Sequence, residues 1–241
     1  MIDAGSLEYA HARLSARFGN RPDEVAWRRI ETIRDVGAML DAARASPLAA
    51  WLARIGQDAD VHAVERAMRA HLRERVAAVA AWMPPEWRAS VEWCGVLVDL
   101  PLLQHRARGG AAPAWLDDKD PPRRKAVEAL LAAGNVDPGH LGSSWRDEWQ
   151  RRLPNGQGGS ALLVEFVRLI DEHVHAWNDP RLVDGWALRR RLHARLTRLF
   201  RRATLDPAAA FIFLALSALD FERLRGEILR RVAFPSLPLV A

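Results

Sequence analysis

The chain contains a single cysteine, Cys94. One thiol cannot close an internal disulfide, and it leaves no cysteine set for zinc or an iron–sulfur cluster. That usage fits a reducing compartment. Lysine is nearly missing as well: Lys119 and Lys125 are the only two among 35 basic residues, so the positive charge is almost all arginine. Arginine keeps its charge in any setting and presents a planar fork of donors to carboxylate or phosphate. Long apolar runs are also lacking. The most extended, residues 207–219, is too short to span a bilayer and reads as a buried core helix. The opening residues Met1-Ile2-Asp3-Ala4-Gly5 have neither the basic flank nor the apolar stretch of a signal peptide.

What is present is ordinary for a globular protein. Of 241 residues, 49% are hydrophobic and 27% charged, and no low-complexity tract interrupts them. The length suffices for a sizeable core or for two or three small helical lobes. Apolar residues recur at steps of three and four. Val61, Val64, Met68, Leu72, Val76 and Val79 form one such face. Leu162, Leu163, Phe166, Val167, Leu169, Ile170 and Val174 form a second, and Leu188, Leu192, Leu196, Leu199 and Phe200 a third. No segment alternates apolar and polar residues between hairpin turns. The prediction is an all-α fold of roughly ten helices.

Stop and start signals punctuate the pattern. Ser46-Pro47, Asp120-Pro121 and Asp206-Pro207 each place a cap before a proline suited to a first helical turn. Pro84-Pro85 closes one helix and opens the next, and Gly134 and Gly185 mark breaks. Residues 108–122 and 154–160 read as linkers. They divide the chain into an N-terminal lobe (1–108), a thin middle segment (109–159) and a C-terminal lobe (160–241). The ten tryptophans are spread over all three and read as core or inter-lobe packing.

The motifs that could carry chemistry are incomplete. The glycine-rich stretch 155–160 has no lysine after Gly159 and no preceding strand, so it lacks what a phosphate-binding loop requires. His173 and His175 are two apart and point different ways on a helix, whereas metal ligands need steps of three or four. Asp117, Asp118 and Asp120 lack the glycine and distal glutamate of a calcium loop. No serine stands in a nucleophile elbow, and Cys94 lies in an apolar run as a small core residue. The sequence therefore predicts no catalytic, cofactor or metal site.

The densest charge feature is the helix over residues 188–202. Arg189, Arg190, Arg191, Arg195, Arg198, Arg201 and Arg202 surround its leucine stripe. A solvated face, neutralised partly by Asp179 and Asp184, is the plain account. Contact with an acidic protein or with lipid headgroups is the functional one. Nucleic acid is disfavoured, because no recognition-helix motif or aromatic platform on strands accompanies the arginines.

Three segments, in order, resemble the rotor-cap subunit of archaeal/vacuolar-type (A/V-type) ATPases, the C-type subunit of the archaeal enzymes and the d-type subunit of the eukaryotic ones. Tyr9-Ala10-His11-Ala12-Arg13-Leu14-Ser15-Ala16-Arg17 is similar to that family's opening helix. Asp99-Leu100 and Leu103 match its Arg-x-Asp-h-x-Asn-Leu segment (h apolar), with Leu97 and Leu102 in place of the arginine and asparagine. Near the end, Asp206-Pro207 opens an apolar helix; Phe221-Glu222, Leu224-Arg225 and Ile228 follow after a short turn, and the Ser217-Ala218-Leu219-Asp220 stretch stands where the family has a lysine before its last helix. The resemblance implies helical lobes of antiparallel helices around a partial funnel, in a shortened member of the family. It implies a non-catalytic central-stalk component, peripheral on the cytoplasmic face of the inner membrane. Such a component caps the membrane rotor ring and seats the central shaft, with possible headgroup contact but no membrane span. Arg190, Arg191, Arg195 and Arg198 are then the expected partner surface, pointing outward towards an acidic face. Two other classes compete: a free-standing helical adaptor, and an arginine-driven nucleic-acid binder whose affinity would fall steeply with salt.

Overall fold

A computed structural model describes residues 5–56, 59–111, 141–154, 160–179, 181 and 183–233, with the side chains of 106 and 107 left aside. The first half contains α1 (Leu7–Gly19), α2 (Glu24–Glu31), α3 (Val36–Arg44), α4 (Ala49–Leu52), α5 (Val61–Trp82) and α6 (Pro85–Trp93). A 3-10 segment (Cys94–Asp99) then leads into α7 (Leu100–Ala107). The second half contains α8 (Leu141–Arg151), α9 (Ala161–Trp177), α10 (Gly185–Arg202) and α11 (Ala208–Ala233). Among the described residues there is no strand, and the all-α prediction holds.

Short polar side chains start most of these helices. Ser6, Asp23, Asp35, Asp60, Ser160 and Asp184 each accept the backbone N–H three residues on. A side-chain cap of this kind contributes about 1 kcal/mol. As the sequence indicates, α5 ends at Trp82 and Pro85 opens α6; Ser46-Pro47 does not open a helix in the same way, because α4 begins only at Ala49 and Leu48 before it gives no side-chain cap. Gly185 proves to be the first residue of α10. Asp206 accepts from the Ala208 N–H and also from the Ser160 hydroxyl at 2.9 Å, which ties the start of α11 to the start of α9. Asp120-Pro121 and Gly134 lie outside the described residues.

Two long helices organise the packing. The start of α5 (Val64, Met68, Leu72) shares a core with the end of α11 (Phe221, Leu224, Ile228). The end of α5 (Val76, Val79) shares a second core with the start of α11 (Phe211, Ile212, Phe213). The two helices therefore run antiparallel along their length. Helices α2, α3 and α4 complete the first core with Trp27, Ile30, Met39, Leu40, Trp51 and Leu52. Helices α1, α6, α8, α9 and α10 contribute to the second. Each core thus draws on residues before 108 and after 160.

Residues 208–214 are all buried, as expected for the apolar run. The short turn expected before Phe221 is absent, and α11 continues without interruption to Ala233. Residues 208–225 contain neither proline nor glycine to break the helix. Ser217 and Asp220 are inward-facing polar residues rather than turn formers. Ser217 accepts from Arg75 at 3.3 Å, and Asp220 takes a two-pronged contact from Arg21 at 2.8 and 2.9 Å. Arg21 also reaches His193 Nε2 on α10 at 2.9 Å. The Arg21 and Asp220 side chains are only 8% and 3% exposed, so this ion pair is desolvated and each member depends on the other.

Candidate ligand cleft

Helix α9 carries more apolar surface than the core covers. Leu163 and Leu169 are buried, while Phe166, Val167 and Ile170 stay half-covered and Val174 and Trp177 are exposed. These five recur at steps of three and four, so they form a second stripe on the same helix. That stripe faces a cleft of about 530 Å³. Leu72 and Val76 of α5 and Phe211 and Leu214 of α11 are its buried parts. Trp145 and Trp149 of α8 form a further wall, and exposed Leu97, Val174 and Trp177 stand at its edge. The volume falls in the range of small-molecule sites, whose walls are mostly apolar with a few placed polar groups.

The walls are held by specific contacts. The Trp93 indole donates to the Trp145 carbonyl at 3.0 Å, and the Trp145 indole donates back to the Trp93 carbonyl at 3.1 Å. This pair pins α8 to α6. Gly185 allows α10 to begin against α9, because a Cβ there would come within 3.0 Å of the Trp177 ring. That close approach brings Trp177 over Arg189, one turn into α10.

Few polar side chains reach the cleft, and most are already engaged. Arg69 donates to Glu65 at 3.0 Å and to the Val98 carbonyl at 2.9 Å. Arg146 pairs with Asp171. Glu222 meets Arg225 at 3.4 Å. Arg189 differs. Its guanidinium lies over Trp177 (4.3 Å) and Trp186 (5.0 Å), and no carboxylate among the described residues forms an ion pair with it. Stacking occupies the faces of the fork and leaves edge donors available. His173, also in the lining, is held below the usual histidine range by burial and then by the Arg189 charge, so it is neutral at pH 7. Burial pushes the Cys94 thiol up to about 12, far from the thiolate a nucleophile needs.

The four arginines expected to form a partner surface differ in exposure and pairing. Arg190, Arg191 and Arg198 are exposed, and Arg190 approaches Asp184 at 3.6 Å. Arg195 has a different setting. It is half-buried and binds Glu172 on α9 at 2.7 Å, because the leucine stripe that seats α10 turns this position towards α9. That hydrogen bond holds the Glu172 carboxyl below its ordinary range. Arg202 makes a similar bridge to Glu165 at 2.8 Å. Asp179, expected to balance the arginine helix, pairs with Arg181 instead.

His173 and His175 are not brought together as ligands: the first lines the cleft and the second is exposed. Among the described residues no three His, Cys, Asp or Glu side chains converge as a metal site. No described helix is long and apolar enough to cross a membrane. The glycine-rich stretch 155–159 and Asp117, Asp118 and Asp120 lie outside the described residues. Comparison with protein-family models, with curated proteins and with solved structures gave no match.

Proposed function

We propose that this chain is a helical binding protein that acts by holding a largely apolar ligand in the cleft between α5, α8, α9, α10 and α11. The observation that carries the reading is the second apolar stripe of α9, which the described residues cover only in part and which faces a cleft of about 530 Å³. Such a surface is costly to leave in water unless something covers it. Binding rather than catalysis also accords with the inert Cys94 thiol and with the prior engagement of most polar groups in the lining. Nile red, a neutral apolar dye, tests the reading. The dye should bind stoichiometrically and brighten. Ala215→Phe, which adds a ring to the cleft lining on α11, should abolish binding while far-ultraviolet circular dichroism stays helical. Dye binding that Ala215→Phe leaves intact would remove the cleft from consideration.

A second reading follows from the exposed arginines. Arg190, Arg191 and Arg198 offer fixed, forked donors suited to an acidic protein face. As the rotor cap of an archaeal/vacuolar-type ATPase, the chain would set register against the ring and shaft through them. Combined reversal of these three to Glu should then abolish co-purification with the ring and shaft proteins without changing helicity. Unchanged co-purification would place any such interface elsewhere.

A further inference from the structure

We infer that the ligand of the cleft is a free long-chain carboxylic acid, with its hydrocarbon chain along the α9 stripe and its carboxylate on Arg189. The inference rests on the binding reading above and narrows it to one chemistry. The lining selects the hydrocarbon part. Leu72, Val76, Phe166, Ile170 and Leu214 offer aliphatic and aromatic surface and no hydrogen-bond partner, which suits a saturated chain and excludes a sugar or nucleoside body.

The charge balance of the mouth selects the head group. Arg69 is matched by Glu65, Arg146 by Asp171, and Glu222 by Arg225. Arg189 is the cation of the lining left without a carboxylate among the described residues. One surplus guanidinium fits a monoanion. A phosphate dianion would meet the same single cation with the Glu222 carboxylate also in the lining. Two indoles hold the Arg189 fork before any ligand arrives, at 4.3 and 5.0 Å from its central carbon. An arginine fork restrained in this way meets a carboxylate with two parallel hydrogen bonds at little further cost in side-chain freedom. Neutral His173, close enough to feel the Arg189 charge, does not compete for the anion.

Competition against Nile red on the full chain tests the assignment, with laurate and dodecanol as probes of equal chain length and different head group. Laurate should displace the dye about ten-fold more strongly than dodecanol, the value expected for hydrogen bonds to a charged group. Arg189→Gln should weaken laurate by about ten-fold and leave dodecanol within about two-fold. Arg189→Lys, which keeps the charge but loses the stacked fork, should fall between. Equal affinity of laurate and dodecanol, or laurate binding indifferent to Arg189→Gln, overturns the carboxylate assignment while dye binding still upholds the cleft. Loss of dye binding in the parent chain defeats both. Attachment to phosphatidylserine vesicles that survives Ala215→Phe, with no laurate binding, overturns the inference in favour of a membrane surface at Trp177 and Arg189.

Discussion

The two ends of the α5–α11 pair are built to different standards. At the first, α2, α3 and α4 close over the start of α5 and the end of α11. Trp27, Ile30, Met39 and Leu40 are at most 1% exposed. Buried Arg231 there donates to the carbonyls of Ile30 and Glu31 at the end of α2 and to that of Ile33 just beyond it. Arg223 bridges Glu24 and Glu31. At the second end, on α9 and α10, Val174, Trp177 and Trp186 are more than 40% exposed, and Arg189 has no ion-pair partner among the described residues. The contrast teaches where each task sits. Elements that open and bind come from the less stable part of a fold, while the closed part supplies the cooperative core.

The sharpest way to break that comparison is to cut one tryptophan from each end. Trp27→Ala at the closed end should cost about 4 kcal/mol, read as a large drop in the urea midpoint. A loss below about 1 kcal/mol would mean that this core repacks freely. Between the ends, Arg21→Ala leaves buried Asp220 without its hydrogen-bonded cation and should cost about 3 kcal/mol. The double variant Arg21→Leu, Asp220→Leu should recover much of that loss, since it removes the stranded charge.

Acid sharpens the comparison more gently. His71 sits edge-on to Trp51 at 4.7 Å, and burial first, then Arg75, lowers its pKa to about 4. The unfolded chain takes up that proton nearer 6.5. Between pH 6.5 and 4 the unfolded state therefore binds more protons, and stability from this residue falls as pH falls. Because His71 is partly exposed, about 1–2 kcal/mol is the expected loss, and His71→Gln should flatten the profile of melting temperature against pH. The smallest effect belongs to the open end. Trp177→Ala should change stability by under about 0.5 kcal/mol, as surface substitutions do, yet weaken laurate through the freed Arg189. A melting temperature that dropped as far as for Trp27→Ala would erase the distinction.

Helical class and the apolar faces were legible in the sequence, because a period of three to four acts locally. The Ser217–Asp220 stretch misleads for the opposite reason. Its polar residues interrupt the apolar period, and only Arg21 and Arg75, far away in the chain, turn that interruption into buried pairing. The same holds for Arg195, whose partner Glu172 lies on another helix. The cleft was hidden because Leu163, Phe166, Val167 and Leu169 look alike in a hydrophobic pattern, though only the first and last are buried. One signal was available: α9 has apolar residues on more of its circumference than one core contact uses. The Arg189–Trp186 spacing was a second, since residues three apart on a helix are neighbours.

The paired indoles of Trp93 and Trp145 bear on how such a chain can drift over generations. Each ring satisfies the other's backbone carbonyl, so the two bonds form a closed exchange between α6 and α8. Replacing one tryptophan strips a donor from the opposite carbonyl and makes the remaining indole a lone tether. A second replacement then costs less than the first did, because the exchange is already broken. Lineages carrying this fold should keep both tryptophans or neither, and where both are gone the α8 wall of the cleft should have been re-hung by another contact.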